Sequence, residues 1–187
     1  MSGDASMAGQ AESARRLVLV DGHAYAYRAF HAIRSLSSPQ GEPTNAIFGF
    51  IKMVERLLEL WKPSHLAVVW DGGLAAVRVA ELPGYKAQRP PMPETLGRQI
   101  ESIEEWLKAL AIRSLCQAGV EADAWIGTLA RGLSVQIGQV LIASSDKDFM
   151  QLVDDRIGLV NPSESAARIW TVEDVKAKTG VRPEQVV

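Results

Sequence analysis

The stretch LVLVD (17–21) decides the architecture: four apolar residues in a row, closed by an acid. An apolar run without alternation, too short for a helix, fits a strand buried on both faces. HLAVVWD (65–71) repeats the design and also ends in an acid. QVLIASSDKD (139–148) is a third strand running into acids, and AIRSLCQ (111–117) is a weaker candidate. Helical patterns fill the intervals. TNAIFGFIKMVERLLELW (44–61) is amphipathic, with Thr44 as its N-cap and Pro63 just beyond its end. MPETLGRQIESIEEWLKAL (92–110), ADAWIGTLARGL (122–133), a short KDFMQLV (147–153) and TVEDVKAKTG (171–180), stopped by Gly180, follow. IGLV (157–160) and ARIW (167–170) read as a closing pair of strands. This alternation predicts an α/β fold of three layers, with a mostly parallel central sheet and helices on both faces.

Composition sets the outer bounds. The chain has 187 residues, 47% of them hydrophobic, enough for one domain with a real core. A formal net charge of −2 argues against a strongly basic nucleic-acid binder, yet leaves room for a basic groove around an acidic centre neutralised by metal ions. The lone Cys116 excludes a disulfide framework and fits a reducing cytoplasm, the expected location; it reads as a buried strand-end residue. The opening MSGDASMAGQAESARR (1–16) lacks the apolar centre of a signal peptide and reads as a disordered tail. No later stretch is long enough to cross a membrane.

In parallel sheets, ligands gather beyond the carboxyl ends of the strands. Asp21 and Asp71 each terminate a strand and are followed by glycine, Asp146 follows one after Ser144 and Ser145, and Glu121 and Asp123 open a helix after another. All should point to one edge. Carboxylates crowded there repel one another unless protons or cations intervene. Oxygen ligands without histidine or cysteine suit Mg²⁺ or Mn²⁺, and two such ions ~4 Å apart suit phosphodiester chemistry. A plainer role stands beside this one. An Asp after a strand caps the next helix, and Asp123 or Asp148 complements a helix dipole. Between the second strand and the long helix, RVAELPGYKAQRPPMP (78–93) supplies Arg78, Lys86 and Arg89 with Tyr85 among them. Such residues hold phosphates and stack on unpaired bases; they also suit a solvated loop. Tyr27, Arg28 and His31 follow the first acidic strand, and His23 and His31 need no metal to explain them.

Taken together, LVLVDGHAYAYRAFHA, PTNAIFGF, VVWDGG, YKAQRPPMP, GVEADAWIGTLA and SSDKDFMQLV resemble, in order and spacing, the N-terminal 5′→3′ exonuclease domain of bacterial DNA polymerase I, within the flap endonuclease family and its PIN-like fold. The resemblance implies a divalent-metal-dependent nuclease acting at 5′ ends or 5′ flaps of DNA, in replication or repair. By matching position it implies that Asp21, Asp71, Glu121 and Asp123 bind a first ion, and Asp146 and Asp148 a second. It also implies that Lys86 contacts the scissile phosphate, that Arg78, Tyr85 and Arg89 flank it, and that Tyr27 and Arg28 face the DNA. A polymerase domain, in the same or another chain, is an implied partner. Two departures stand out. The family reads Glu-Ala-Asp-Asp where this chain has Ala124 in place of the last Asp, followed by Trp125, which is expected to alter local packing. The chain stops at VRPEQVV, where the family continues into another Asp pair and a helix–hairpin–helix module. Residues 17–187 are therefore expected to form the exonuclease N-terminal domain without that module. One metal site is expected to be well formed and the second weakened; Asp154 and Asp155 read as surface charges rather than substitutes. The alternative is a non-catalytic nuclease-like domain that binds DNA ends or a partner. The ribonuclease branch of PIN-like folds is a more remote reading. A haloacid-dehalogenase-type phosphatase needs an acid where His23 stands, and no Gly-x-Gly-x-x-Gly follows the first strand to support a dinucleotide site.

Overall fold

A computed structural model describes residues 15–73, 91–161 and 168–186. Its centre is a five-stranded sheet in the order β3-β2-β1-β4-β5, built from β1 (Arg16–Asp21), β2 (His65–Trp70), β3 (Arg113–Cys116), β4 (Gln139–Ala143) and β5 (Ile157–Val160). Every pairing is parallel, and Val20 lies opposite both Val68 and Ala143. Burial explains the unbroken apolar strands: Leu17 to Val20 and Val140 to Ala143 are all buried, as sheet residues covered on both faces must be.

One face packs against α1 (Gly22–Ala32), α2 (Asn45–Trp61) and α3 (Glu94–Ala109), around Tyr25, Phe50, Trp70, Leu96 and Ile103. The other packs against α4 (Ala122–Ile137) and the 3₁₀ segment Lys147–Leu152, with Val175 of α5 (Val172–Thr179), around Ile126, Ile142, Phe149 and Ile157. The three-layer α/β expectation is met. The chain steps outward from β1 to β2 and β3, then crosses back so that β4 lies on the other side of β1. That reversal opens a crevice beyond the ends of β1 and β4, where α/β sheets bind ligands.

Several local expectations change. The first strand starts at Arg16, one residue inside the stretch assigned to the tail, because its guanidinium reaches the Gln139 side chain and the Trp61 carbonyl. Residues 1–14 lie outside the described residues. Thr44 sits at the N-cap of α2 but makes no capping bond; the buried Gln99 carboxamide of α3 instead accepts from the Ala46 N–H at 2.8 Å. Ala167 of ARIW lies outside the described residues, and residues 168–170 contribute a single antiparallel bridge, Trp170 to Leu159, rather than a strand. Cys116 is exposed, not buried, because β3 is a short edge strand with one flank unpaired. Asp154 and Asp155 are exposed as expected, and the Asp154 carboxylate closes the turn into β5 by accepting from the Ile157 N–H. Trp125 packs, partly buried, against the α4-side core. No helix among the described residues is long and apolar enough to cross a membrane.

Candidate metal centre

The acids arrive at the carboxyl edge of the sheet by different routes. Asp21 ends β1 and caps α1, its carboxylate accepting from the Ala24 N–H at 3.1 Å. Its second oxygen accepts from the Ser144 hydroxyl at 3.0 Å, and the same Ser144 oxygen accepts from the Asp146 N–H. Ser144, fully buried just after β4, thus ties Asp21 to the loop carrying Asp146. Asp146 caps the 3₁₀ segment by accepting from the Asp148 N–H. The capping role and the convergence expected from sequence therefore coexist in one side chain.

Asp71 follows β2. Its backbone N–H donates to His23 Nδ1 at 3.1 Å, and its carboxylate accepts from the Gly73 N–H. The residue after it explains the recurrent Asp-Gly. Gly72 exchanges backbone hydrogen bonds with Gly119 and Val120, and a Cβ there would collide with the Gln117 carbonyl. Gly22, after Asp21, lies against the Trp70 ring, with room for no side chain. These close approaches bring the loop before α4 against the end of β2, and with it Glu121, 1% exposed at the N-cap of α4. Asp123 is in the first turn of that helix, its carboxylate accepting from the Ala124 N–H.

Asp123, Asp146 and Asp148 line one cavity of about 450 Å³, together with Ala124, Thr128 and Arg131. All three acids are exposed. Asp21, more enclosed, has its carboxyl pushed above the usual range, first by burial and then by the charges of Asp146 and Asp123, against the lowering effect of its own hydrogen bonds. Burial dominates that shift, and the neighbouring carboxylates add to it in the same direction. The donor set is carboxylate oxygen throughout. His23 is committed as an acceptor and set edge-on to Trp70, its pKa lowered by burial. This chemistry fits a hard divalent cation of the Mg²⁺ or Mn²⁺ kind. In the present rotamers, no three histidine, cysteine or carboxylate groups among the described residues stand close enough to grip an ion.

Other expected residues lie elsewhere. Tyr27 and Arg28 sit on α1 and line no part of this cavity; the Tyr27 ring is partly buried and stacked on His31. Arg78, Tyr85, Lys86 and Arg89 fall outside the described residues. Sequence reading passed over Ser144, His23 as a backbone anchor, and Arg131. The last was detectable, since Ala124, Gly127, Thr128 and Arg131 share a helical face with spacing of three and four.

Comparison with known proteins turns this geometry into a family assignment. Residues 16–180 match the model of the 5′-3′ exonuclease, N-terminal resolvase-like domain. The chain belongs to this family. It is 43% identical over 171 residues to DNA polymerase I of Pseudomonas aeruginosa, covering 91% of this chain and 18% of the polymerase. It is 38% identical over 172 residues to a 5′-3′ exonuclease of Aquifex aeolicus, covering 92% of this chain and 59% of that protein. The exonuclease-family chain thus spans less than two thirds of these relatives. Among solved structures, a bacteriophage T5 flap endonuclease in complex with DNA and metal ions superposes with a TM-score of 0.69 at 19% identity, over 92% of this chain and 64% of that one. The catalytic core of Rad2 with DNA substrate superposes with a TM-score of 0.58 at 18% identity, over 91% and 50%. These structures share the fold.

Proposed function

We propose that this chain is the metal-binding N-terminal domain of a divalent-metal-dependent 5′→3′ exonuclease or flap endonuclease that hydrolyses DNA phosphodiesters. The observation that carries the reading is the placement of the acids at the carboxyl edge of the sheet, where Ser144 joins Asp21 to Asp146, and Asp146 shares one cavity with Asp123 and Asp148. Asp21, Asp71, Glu121 and Asp123 would hold one ion, and Asp146 and Asp148 a second. Asp71 and Asp146 each commit one oxygen to a backbone N–H, leaving the other for coordination. Bound there, Mg²⁺ or Mn²⁺ supplies a nucleophile from water at neutral pH and charge stabilisation at the leaving oxygen.

The protein's own contribution is placement. Ser144 holds Asp21 and the Asp146 backbone in register, and His23 holds the Asp71 backbone. Lys86, with Arg78, Tyr85 and Arg89, would grip the scissile phosphate and the adjoining strand. DNA ends or flaps are the proposed partner, with a polymerase domain alongside, as in the Pseudomonas relative.

Ala124 favours a second reading, a DNA-end-binding domain that has lost turnover, because it puts a methyl group on the wall of the cavity shared by Asp123, Asp146 and Asp148. One assay decides between them. A 5′-flap duplex labelled at its 3′ end is incubated with Mg²⁺ and then Mn²⁺, with Asp71→Asn in parallel. The nuclease reading expects metal-dependent cutting that falls to background in the variant. Undiminished cutting by Asp71→Asn would sink that reading; retention of the duplex in a gel without any product selects the binding domain.

A further inference from the structure

The cavity that holds Asp123, Asp146 and Asp148 carries a feature the metal centre does not use. Arg131 is the one cation among the described residues that line it. Its side chain is exposed, and its guanidinium pairs neither with the three carboxylates of the same cavity nor with any other described residue. Gln151, on the 3₁₀ segment that forms the other wall, is also exposed, and its carboxamide has no hydrogen-bond partner among the described residues.

The two walls meet where Gly127 faces Leu152; a Cβ on Gly127 would stand 3.5 Å from Leu152 Cδ1. Arg131 lies one turn beyond Gly127 on the same face of α4, and Gln151 is next to Leu152, so the two side chains flank that seam. Thr128, between Gly127 and Arg131, donates its hydroxyl proton to the Ala124 carbonyl at 2.8 Å and adds no donor. Acids repel a phosphodiester wherever no ion stands between them. A strand that continues along this cavity from the metal centre therefore needs donors from the protein itself. The Arg fork matches phosphate oxygens with paired N–H groups, and a glutamine side chain contacts phosphates without charge.

We infer that Arg131 and Gln151 together hold one backbone phosphate of the DNA strand, away from the scissile bond. Arg131 is about 12 Å along α4 from Asp123 at 1.5 Å per residue, which corresponds to about three to four nucleotides at the duplex rise. The cavity, of about 450 Å³, is within the range of sites that enclose small molecules and admits a phosphate with its adjoining sugar. DNA as the source of that phosphate rests on the nuclease reading; the two unengaged donors do not.

A dye-labelled 5′-flap duplex is titrated with the chain in Ca²⁺, with KCl raised from about 50 to 200 mM, and cutting is measured separately in Mg²⁺. We expect Arg131→Gln to weaken binding about tenfold and to make the slope of log K against log salt shallower by about 0.9, the value of one phosphate contact. Arg131→Lys keeps the slope. Gln151→Leu weakens binding about fivefold and leaves the slope unchanged, since a carboxamide carries no charge. Arg113→Gln, which removes the same charge from the exposed edge strand β3, changes neither quantity. All four variants melt with the parent, because each side chain is exposed. An unchanged slope in Arg131→Gln, an equal change in Arg113→Gln, or no binding by the parent overturns the proposal; unchanged affinity in Gln151→Leu overturns the two-walled grip. Cutting with an unchanged slope keeps the nuclease reading and removes this contact. The expected slopes without cutting keep the contact and remove the nuclease reading.

Discussion

Five acids of the candidate metal centre fall into two groups that are held in opposite ways; the sixth, Glu121, is buried at the N-cap of α4. Asp21 and Asp71 are half-buried and built into the sheet: one caps α1 and is clasped by Ser144, the other is anchored by His23, and each is followed by a glycine with no room for a side chain. Asp123, Asp146 and Asp148 are exposed along a cavity wall of a helix and a 3₁₀ segment, where Asp123 accepts from the next N–H and Asp146 from the N–H two residues on. The first group's geometry is inseparable from the fold. The second group's geometry is local. Substitutions near the first should therefore register in stability, and those near the second in ion affinity.

The largest effect expected from that contrast is at Gly72. In Gly72→Ala the new methyl meets the Gln117 carbonyl, a backbone atom that cannot swing aside. A destabilisation of about 3 kcal/mol or more follows, which in a domain of this size lowers Tm by roughly 10 °C. Gly127→Ala, on the cavity wall, meets only the Leu152 side chain at an ordinary 3.5 Å and lies inside α4. Helix propensity then makes it neutral or stabilising by up to about 1 kcal/mol. Thermal melting of the pair breaks the comparison if the two shifts are alike.

The next effect is on ion affinity. Ala124→Asp adds a carboxylate to the wall already formed by Asp123, Asp146 and Asp148. Because affinity for hard cations follows ligand charge count, Mn²⁺ should bind roughly tenfold more tightly, about 1.4 kcal/mol. Stability without metal should change little, since Ala124 is exposed and an acid in a first helical turn is tolerated. Equal Mn²⁺ titrations for the two proteins would place the second group of acids outside any ion site.

The same division explains what could be read from the sequence. Apolar strands that end in acids were enough for the parallel sheet and for the edge on which Asp21, Asp71 and Asp146 all lie, because burial on both faces leaves a one-dimensional mark. The Asp-Gly pairs were visible, but their cause was not: the Trp70 ring over Gly22 and the Gln117 carbonyl against Gly72 are contacts across 48 and 45 residues, which no local pattern encodes. Ser144 was visible as a turn residue; that its hydroxyl joins Asp21 to Asp146 depends on β4 pairing with β1. Cys116 was misjudged because its burial depends on its strand's position in the sheet, and β3 lies at an edge. The helix α4 extends to Ile137, past the expected end at 133, since Gly132 has nothing near it and stops nothing, whereas Gly138 at φ +101° ends it.

The smallest expected effect tests the converse, an acid whose work is wholly local and remote from the metal centre. Asp174 closes the capping box of α5: it accepts from the Thr171 N–H and hydroxyl, and Thr171 accepts from the Asp174 N–H in return. Those bonds, backbone first, with a smaller contribution from Arg168, hold its carboxyl below the usual range. A depressed folded-state pKa means the folded chain releases this proton more readily than the unfolded one. The stabilisation is therefore present above the unfolded value near 3.8 and disappears as pH falls through the lower folded value. Asp174→Asn should accordingly lower stability at pH 7 by no more than about 1 kcal/mol, a cap-sized loss, and the gap between the two proteins should narrow as pH falls below 4. Denaturant melts at pH 7 and pH 3 measure it; a gap that persists unchanged at pH 3 would mean that the loss comes from the shape of the side chain and not from its charge.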